Sequence, residues 1–273
     1  MLSKFRSVSL AVIAVFMVAT EVASQTKPAV QNMAVAFKNV TFSYDKTVFG
    51  EVQSETVAAQ SLDEPGDKPD GVAPQYLRFA FALGREDNDA HISVYPVADF
   101  AKAFAVNKSL EKTMQQKVKG LKQVIQDPAY RHQGQIPHLP FRDATDNFYT
   151  RVKQVTFQGG KGVVFVTHWT HGVALVSNKN LVYRFEGFTD DGRYYITAET
   201  PISVRFLPFD PPEKFEGFTY EHLYETYRRP EMKRRYEEYL KSITDRIRKL
   251  EPVDFYPNLE HFESMIASLK VGK

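Results

Sequence analysis

Leu181-Val-Tyr-Arg-Phe-Glu-Gly-Phe-Thr-Asp-Asp-Gly-Arg-Tyr-Tyr-Ile-Thr-Ala-Glu-Thr200 is the stretch whose reading decides the fold. Two alternating runs, Leu181–Phe188 and Arg193–Thr200, flank Thr189-Asp190-Asp191-Gly192, and Asp-Gly between alternating runs is a strong hairpin signal. With Asp191-Gly192 as the loop, Asp190 faces Arg193, Phe185 faces Ala198 and Arg184 faces Glu199. Tyr183, Phe185 and Gly187 then share a face with Tyr194, Ile196 and Ala198, and Arg184 and Glu186 share the other with Arg193, Thr197 and Glu199. A slip of one residue would set apolar against charged side chains throughout, so the pattern fixes the register. A four-residue loop over Asp190–Arg193 keeps that register.

Upstream, Gly162–His171 is apolar on both faces, with Val163, Phe165 and Trp169 on one and Val164, Val166 and His168 on the other, as in a central strand. Arg151–Gln158, across the turn Gly159-Gly160-Lys161-Gly162, completes an antiparallel meander of about four strands. The expected fold class is α+β: a mainly antiparallel sheet with helices packed on it and a C-terminal helical extension.

Toward the N-terminus, Val35–Tyr44 reads as a strand with Val48–Val57 as its partner across the Asp45-Lys46 turn. Tyr76–Leu83 alternates cleanly, with Leu77, Phe79, Phe81 and Leu83 inward, and Ile92–Tyr95 is its companion. Past Pro96 the period changes to that of helices, Val97–Phe104 and then Asn107–Asp127, the latter striped by Leu110, Met114, Val118, Leu121 and Ile125. Pro128–Phe141 holds three prolines and is expected to run extended over the surface. At the C-terminus, Phe218–Arg228, a helix starting at Pro230 and a last one striped by Leu259, Phe262, Ile266 and Leu269 follow, the last two stripes expected to pack on each other.

The chain thus divides into 1–24, 25–212 as the sheet domain and 213–273 as the helical extension. Lys4 and Arg6, the apolar run Val8–Ala19 and the small residues Val22-Ala23-Ser24 read as a secretory signal peptide cut after Ser24, implying a secreted or periplasmic protein. No later stretch is long and apolar enough to span a bilayer. The absence of cysteine excludes a disulfide scaffold, a thiol nucleophile and a thiolate metal site, and export without disulfides suits a bacterial envelope protein. The formal charge is +2, of which Lys4, Arg6 and Glu21 supply +1. That balance gives no field for nucleic acid.

His168-Trp169-Thr170-His171 is the most suggestive group for chemistry. Two histidines three apart share a face on a helix, but on a strand they point to opposite sides, so a metal site forms only if His171 curls back and His132 or His138 completes it. No metal and no cofactor is expected. Asp190-Asp191-Gly192 reads as a turn, and Gly159-Gly160-Lys161-Gly162 lacks the phosphate-loop pattern and the following helix. The basic run Arg228–Arg235 is interleaved with Glu231 and reads as a solvated helix face. Phe188 and Tyr195, opposite each other on the polar face of the hairpin, read as an exposed aromatic pair and a candidate contact surface.

The segment Tyr183–Ile196 with its Gly-Phe-Thr-Asp-Asp-Gly-Arg-Tyr-Tyr core, Ile92-Ser-Val-Tyr-Pro-Val97 and Leu139-Pro140-Phe141 resemble stretches of uncharacterised secreted bacterial proteins. The resemblance covers about residues 40–208 and implies an exported domain without supplying an activity. The expectation is a binding or interaction protein of the envelope or exterior, with an unknown ligand or an envelope protein as partner and His168, Trp169, His171, Phe188 and Tyr195 as candidate contacts. A secreted hydrolase with its site near His168 is the alternative. An enzyme should show polar groups converging in a concave site, whereas a binder can present an apolar groove alone.

Overall fold

The hairpin lies at the centre of the sheet. In the computed structural model the described residues are 31–272 apart from 65–67, 86–87, 131–133 and 212, with the side chains of 84, 85 and 88 also outside that set. The signal segment and His132 therefore lie outside the described residues. Strands β1 (Asn32–Phe37), β2 (Val40–Asp45), β3 (Val52–Val57), β4 (Tyr76–Arg85), β5 (Asn88–Pro96), β6 (Thr145–Phe157), β7 (Gly160–Thr170), β8 (Leu181–Thr189) and β9 (Tyr194–Pro201) are joined by short pieces and six helices. Seven of them form one antiparallel sheet in the order β3-β4-β5-β9-β8-β7-β6.

The β8–β9 register pairs Arg184 with Glu199, Phe185 with Ala198 and Phe188 with Tyr195, as the alternation demands. The loop is the four-residue form: β8 ends at Thr189 and β9 begins at Tyr194. Asp191 fastens it by accepting from the Thr189 hydroxyl at 2.7 Å and the Arg193 amide at 3.1 Å, and Gly192 supplies the positive φ of 68°. Gly187 answers to packing instead. A Cβ there would lie 2.3 Å from the Phe185 ring, and one at Gly162 2.4 Å from the same ring, which fills the space the two glycines leave.

Two readings of the N-terminal half change. Residues 35–44 are two strands, not one, because the chain turns at Lys38 (φ 51°), and β2 pairs with β1 and with a short C-terminal strand, Lys270–Val271. Its expected partner β3 joins β4 at the edge of the large sheet instead. The reason is burial: Val40, Phe42 and Tyr44 lay their rings and methyls on Phe79 and Phe81 as a second layer, which edge pairing with β3 would not permit.

Helices α1 (Lys46–Phe49), α2 (Val97–Ala103) and α3 (Lys108–Gln126) precede β6. The Asn107 side chain caps α3, accepting from the amides of Ser109 and Leu110 at 3.1 and 3.2 Å. The α3 stripe of Met114, Leu121, Val124 and Ile125 covers Val163, Phe165, Phe188 and Tyr195 on one face of the sheet. The opposite face carries Phe79, Ile92, Val164, Val166, Tyr183, Phe185 and Ile196. Over it pack β1, β2 and the C-terminal helices α5 (Pro230–Arg248) and α6 (Leu259–Ser268), which follow the short α4 (Tyr220–Glu225). Pro230 takes the first-turn position of α5, where its missing N–H costs nothing. The two C-terminal stripes meet the sheet rather than chiefly each other, α5 on β6 and α6 on β2 and β6. Residues 213–272 therefore share one core with the sheet. No helix among the described residues is long and apolar enough to cross a membrane.

Candidate functional site

Alternation puts Arg184 and Glu186 of β8 on one face with Thr197 and Glu199 of β9, and Trp169 of β7 lies beside them. The sequence suggests a solvated face there. The structure buries it: Glu186 is 0%, Arg184 1% and Glu199 2% exposed. The cover comes from α3 and from residues 134–142, whose Ile136 and Leu139 are themselves buried, so this proline-rich crossing is a lid on the polar half of the sheet and not a surface excursion.

Glu186, Glu199, Arg184 and the Trp169 indole are thereby buried together, and the exposed Arg142 stands beside them. Trp169 Nε1–H donates to Glu199 Oε2 at 2.9 Å, and the Arg142 and Arg184 guanidiniums stand 3.3 and 3.9 Å from the same oxygen. Both guanidiniums also lie over the indole, Arg142 3.7 Å and Arg184 4.6 Å from a ring centroid, where the electron-rich ring attracts cations. Arg184 Nε lies 2.5 Å from Glu186 Oε1 but makes no hydrogen bond, so this is a charge contact with poor angular geometry. Glu186 Oε2 accepts from the Tyr195 hydroxyl, whose oxygen lies 3.1 Å from the Leu139 carbonyl, and His138 Nδ1 sits 3.3 Å from Glu186 Oε1. Asp146, opposite Trp169 on β6, accepts from the hydroxyls of Thr167 at 2.6 Å and Tyr149 at 2.9 Å.

These environments drive the carboxyls apart. Burial raises Glu186 to about 7 against the pull of Arg184 and the Tyr195 hydrogen bond, and burial likewise raises Asp146 to about 6. For Glu199 burial acts in the same direction, yet the positive charges of Arg142 and Arg184, then His91 and the indole N–H, outweigh it and hold the group below the usual carboxylate range. Glu199 is thus ionised at neutral pH while Glu186 sits near its midpoint. The Tyr195 hydroxyl is pushed well above its ordinary range by burial and by Glu186.

Above this layer opens a cavity of about 270 Å³. Glu199, Arg184 and Thr197 form its floor, His91 and Asp89 of β5 one wall, and residues 138–142 the other. Asp89 is ion-paired to Arg78 and lies 3.4 Å from His91, which holds its carboxyl low. Arg142 and Asp70 separate this cavity from a second one of about 710 Å³ lined by Trp169, His171 and Lys179.

The sequence candidates are distributed as follows. Trp169 belongs to the site. His168, one residue earlier, points to the opposite face, where Nε2 accepts from the Ser177 amide at 3.3 Å and the ring stacks on Phe148. Burial lowers it to about 4, so it is a neutral core side chain. His171 lies past the end of β7, exposed, between the second cavity and a groove lined by Tyr220, Tyr224 and Tyr227. The two histidines therefore sit in different places, His168 in the core and His171 at the surface past the strand end. Phe188 and Tyr195 do face each other, with ring centroids 5.5 Å apart, but they are 6% and 0% exposed, so the expected exposed pair is corrected to a core pair under α3, with Lys122 Nζ 5.3 Å over the Phe188 ring. Among the described residues no three His, Asp or Glu side chains are placed to hold a metal ion.

Glu199, Arg184, Arg142 and His91 carry no site signal in the sequence, and His138, which the sequence offers only as a partner of His168 and His171, joins Glu186 instead. One signal was present: the face carrying Arg184, Glu186 and Glu199 also carries Val163, Phe165, Phe188 and Tyr195, too apolar a company for a solvated surface. The chain matches no protein family model, no curated protein and no solved structure.

Proposed function

We propose that this is an exported bacterial protein that binds a small polar molecule in the cavity between β5, β8–β9 and residues 138–142. The observation that carries the reading is the convergence of polar side chains from separate segments on one concave space: Glu199 and Arg184, Asp89 and His91, and His138 and Arg142 all line the cavity, and the ionised Glu199 is held there by Trp169 and Arg142. A concave pocket with a few convergent polar groups is the kind of place where a small molecule binds. The sequence features of a signal peptide at 1–24 and the lack of cysteine support export.

A thermal-shift screen with sugars, amines, carboxylates, metals, peptides and lipids tests the reading. A ligand at a hundred times its Kd stabilises the folded state by about 2.7 kcal/mol. For a chain of this size that raises Tm by roughly 5–10 °C. No shift with any class would refute a ligand site.

A second reading, a hydrolase, is favoured by one contact. His138 lines the cavity with Nδ1 against buried Glu186, the arrangement in which a carboxylate orients an imidazole base. Its histidine is His138 rather than His168. Turnover of p-nitrophenyl esters or glycosides that is lost in His138→Ala would establish it, and a rate equal to the buffer's would dismiss it.

A further inference from the structure

We infer that Glu186 is a proton switch for the crossing at residues 138–142: protonated, it directs the Tyr195 hydroxyl hydrogen onto the Leu139 carbonyl, and ionised, it takes that hydrogen for itself. The reasoning begins with a count of protons. Tyr195 carries one hydroxyl hydrogen, and two acceptors stand beside its oxygen, Glu186 Oε2 and the Leu139 carbonyl at 3.1 Å. Only one of them is served at a time. Among the described residues no other donor reaches that carbonyl. Glu186 and Tyr195 are both wholly buried, so an acceptor that loses this hydrogen is left unmade in a place where that matters.

Ionised Glu186 is acceptor-only, and as the charged partner it holds the hydrogen, which leaves the Leu139 carbonyl without a donor. A proton on Oε2 reverses the chain. The acid then donates to Tyr195 Oη, whose own hydrogen turns to Leu139, and all three groups are satisfied. Oε1 accepts in both states, so His138 Nδ1, 3.3 Å away, keeps its partner. Tyr195 keeps its hydrogen throughout, because burial and Glu186 push its hydroxyl well above the ordinary range. Around Glu186 stand Arg184 of its own strand, Tyr195 and Thr197 of β9, His138 of the crossing, Asp146 of β6, Lys117 of α3 and Tyr95 of β5. Asp146 is bonded to Thr167 and Tyr149, and Lys117 donates to the His138 carbonyl at 3.3 Å, so neither competes for the Tyr195 hydrogen. Residues 138–142 are one wall of the cavity. That wall is therefore tied to the sheet while Glu186 holds its proton and loosened as the proton leaves for solvent, with a midpoint about 7.

Hydrogen exchange of the full wild-type chain at pH 5.5 and 8.5, read by mass spectrometry and corrected for the intrinsic effect of pH, tests this on the amides of Ile136, His138, Leu139, Phe141 and Arg142. Protection there should fall roughly two- to tenfold at the higher pH, the change that one hydrogen bond makes. In Glu186→Gln the amide oxygen faces His138 and Arg184, and the NH2 faces Tyr195 Oη in the manner of the protonated acid. Protection should then stay high at both pH values. Tyr195→Phe has no hydrogen to redirect, and protection should be low at both. A fall that survives in Tyr195→Phe belongs to His138 or to general loss of stability and overturns the inference, as does equal protection of the wild type at the two pH values. If neither variant folds, the wild-type comparison alone decides.

Discussion

Replacing Arg184 by Met tests whether the charged face of the hairpin is sealed from water. The guanidinium is 1% exposed, 2.5 Å from Glu186, 3.9 Å from Glu199 and 4.6 Å from the Trp169 ring centroid. Removing one partner of a buried pair costs ~3–5 kcal/mol, because the other charge is left uncompensated. Here the cost should depend on pH. Glu186 already titrates near 7, so at pH 6 it holds a proton in both proteins, and only the loss at Glu199 and Trp169 is felt. At pH 9 Glu186 is ionised and alone, and each unit by which its pKa rises in the variant adds about 1.4 kcal/mol. Urea unfolding followed by circular dichroism should give a destabilisation of about 2 kcal/mol at pH 6 and ~3–5 kcal/mol at pH 9. In Arg184→Met/Glu186→Gln the pH dependence should disappear. A cost below about 1 kcal/mol, typical of exposed pairs, or an equal cost at both pH values, would refute the reasoning.

Three further outcomes follow from the same structure. Glu186 has a folded-state pKa of about 7 against an ordinary 4.5, so the folded state keeps its proton longer and the stability of the wild type relative to Glu186→Gln should fall by about 3 kcal/mol as pH rises from 4.5 to 7; a flat difference in urea midpoints would count against it. His168 has the opposite sign: with a folded-state pKa of about 4 against 6.5, the unfolded chain takes the proton first, and wild type should lose about 3 kcal/mol relative to His168→Gln as pH falls from 6.5 to 4, which the same titration reads. Gly187→Ala should cost roughly 1–3 kcal/mol in scanning calorimetry because its Cβ would stand 2.3 Å from the Phe185 ring, and an unchanged Tm would mean the ring has somewhere else to go.

The hairpin register was legible in the sequence because period-two alternation on both arms and an Asp-Gly turn leave one pairing that keeps Phe185 with Ala198 and Arg184 with Glu199. The capped helix at 108–126 and the break at Pro230 were legible for similarly local reasons. What alternation does not carry is whether a face is covered. It groups Arg184, Glu186 and Glu199 together, but their burial is decided by α3 and by the 134–142 crossing, elements far away in sequence. The same limit applies to β2, which lies between β1 and the strand at residues 270–271, a partner far away in sequence. The site shares this origin. His91, Glu199 and the pair His138 and Arg142 come from three separate segments, so no spacing motif could announce them.

Trp169 is the single tryptophan of the chain, and its indole N–H donates to the oxygen of Glu199 opposite the unpartnered one. One indole signal in a ¹⁵N correlation spectrum therefore reports on the floor of the cavity. During titration with a ligand that the thermal-shift screen identifies, that signal should move and saturate with the same Kd that calorimetry measures. An indole resonance that stays in place while the heat saturates would put the ligand elsewhere on the molecule and contradict the role given to the buried charged face.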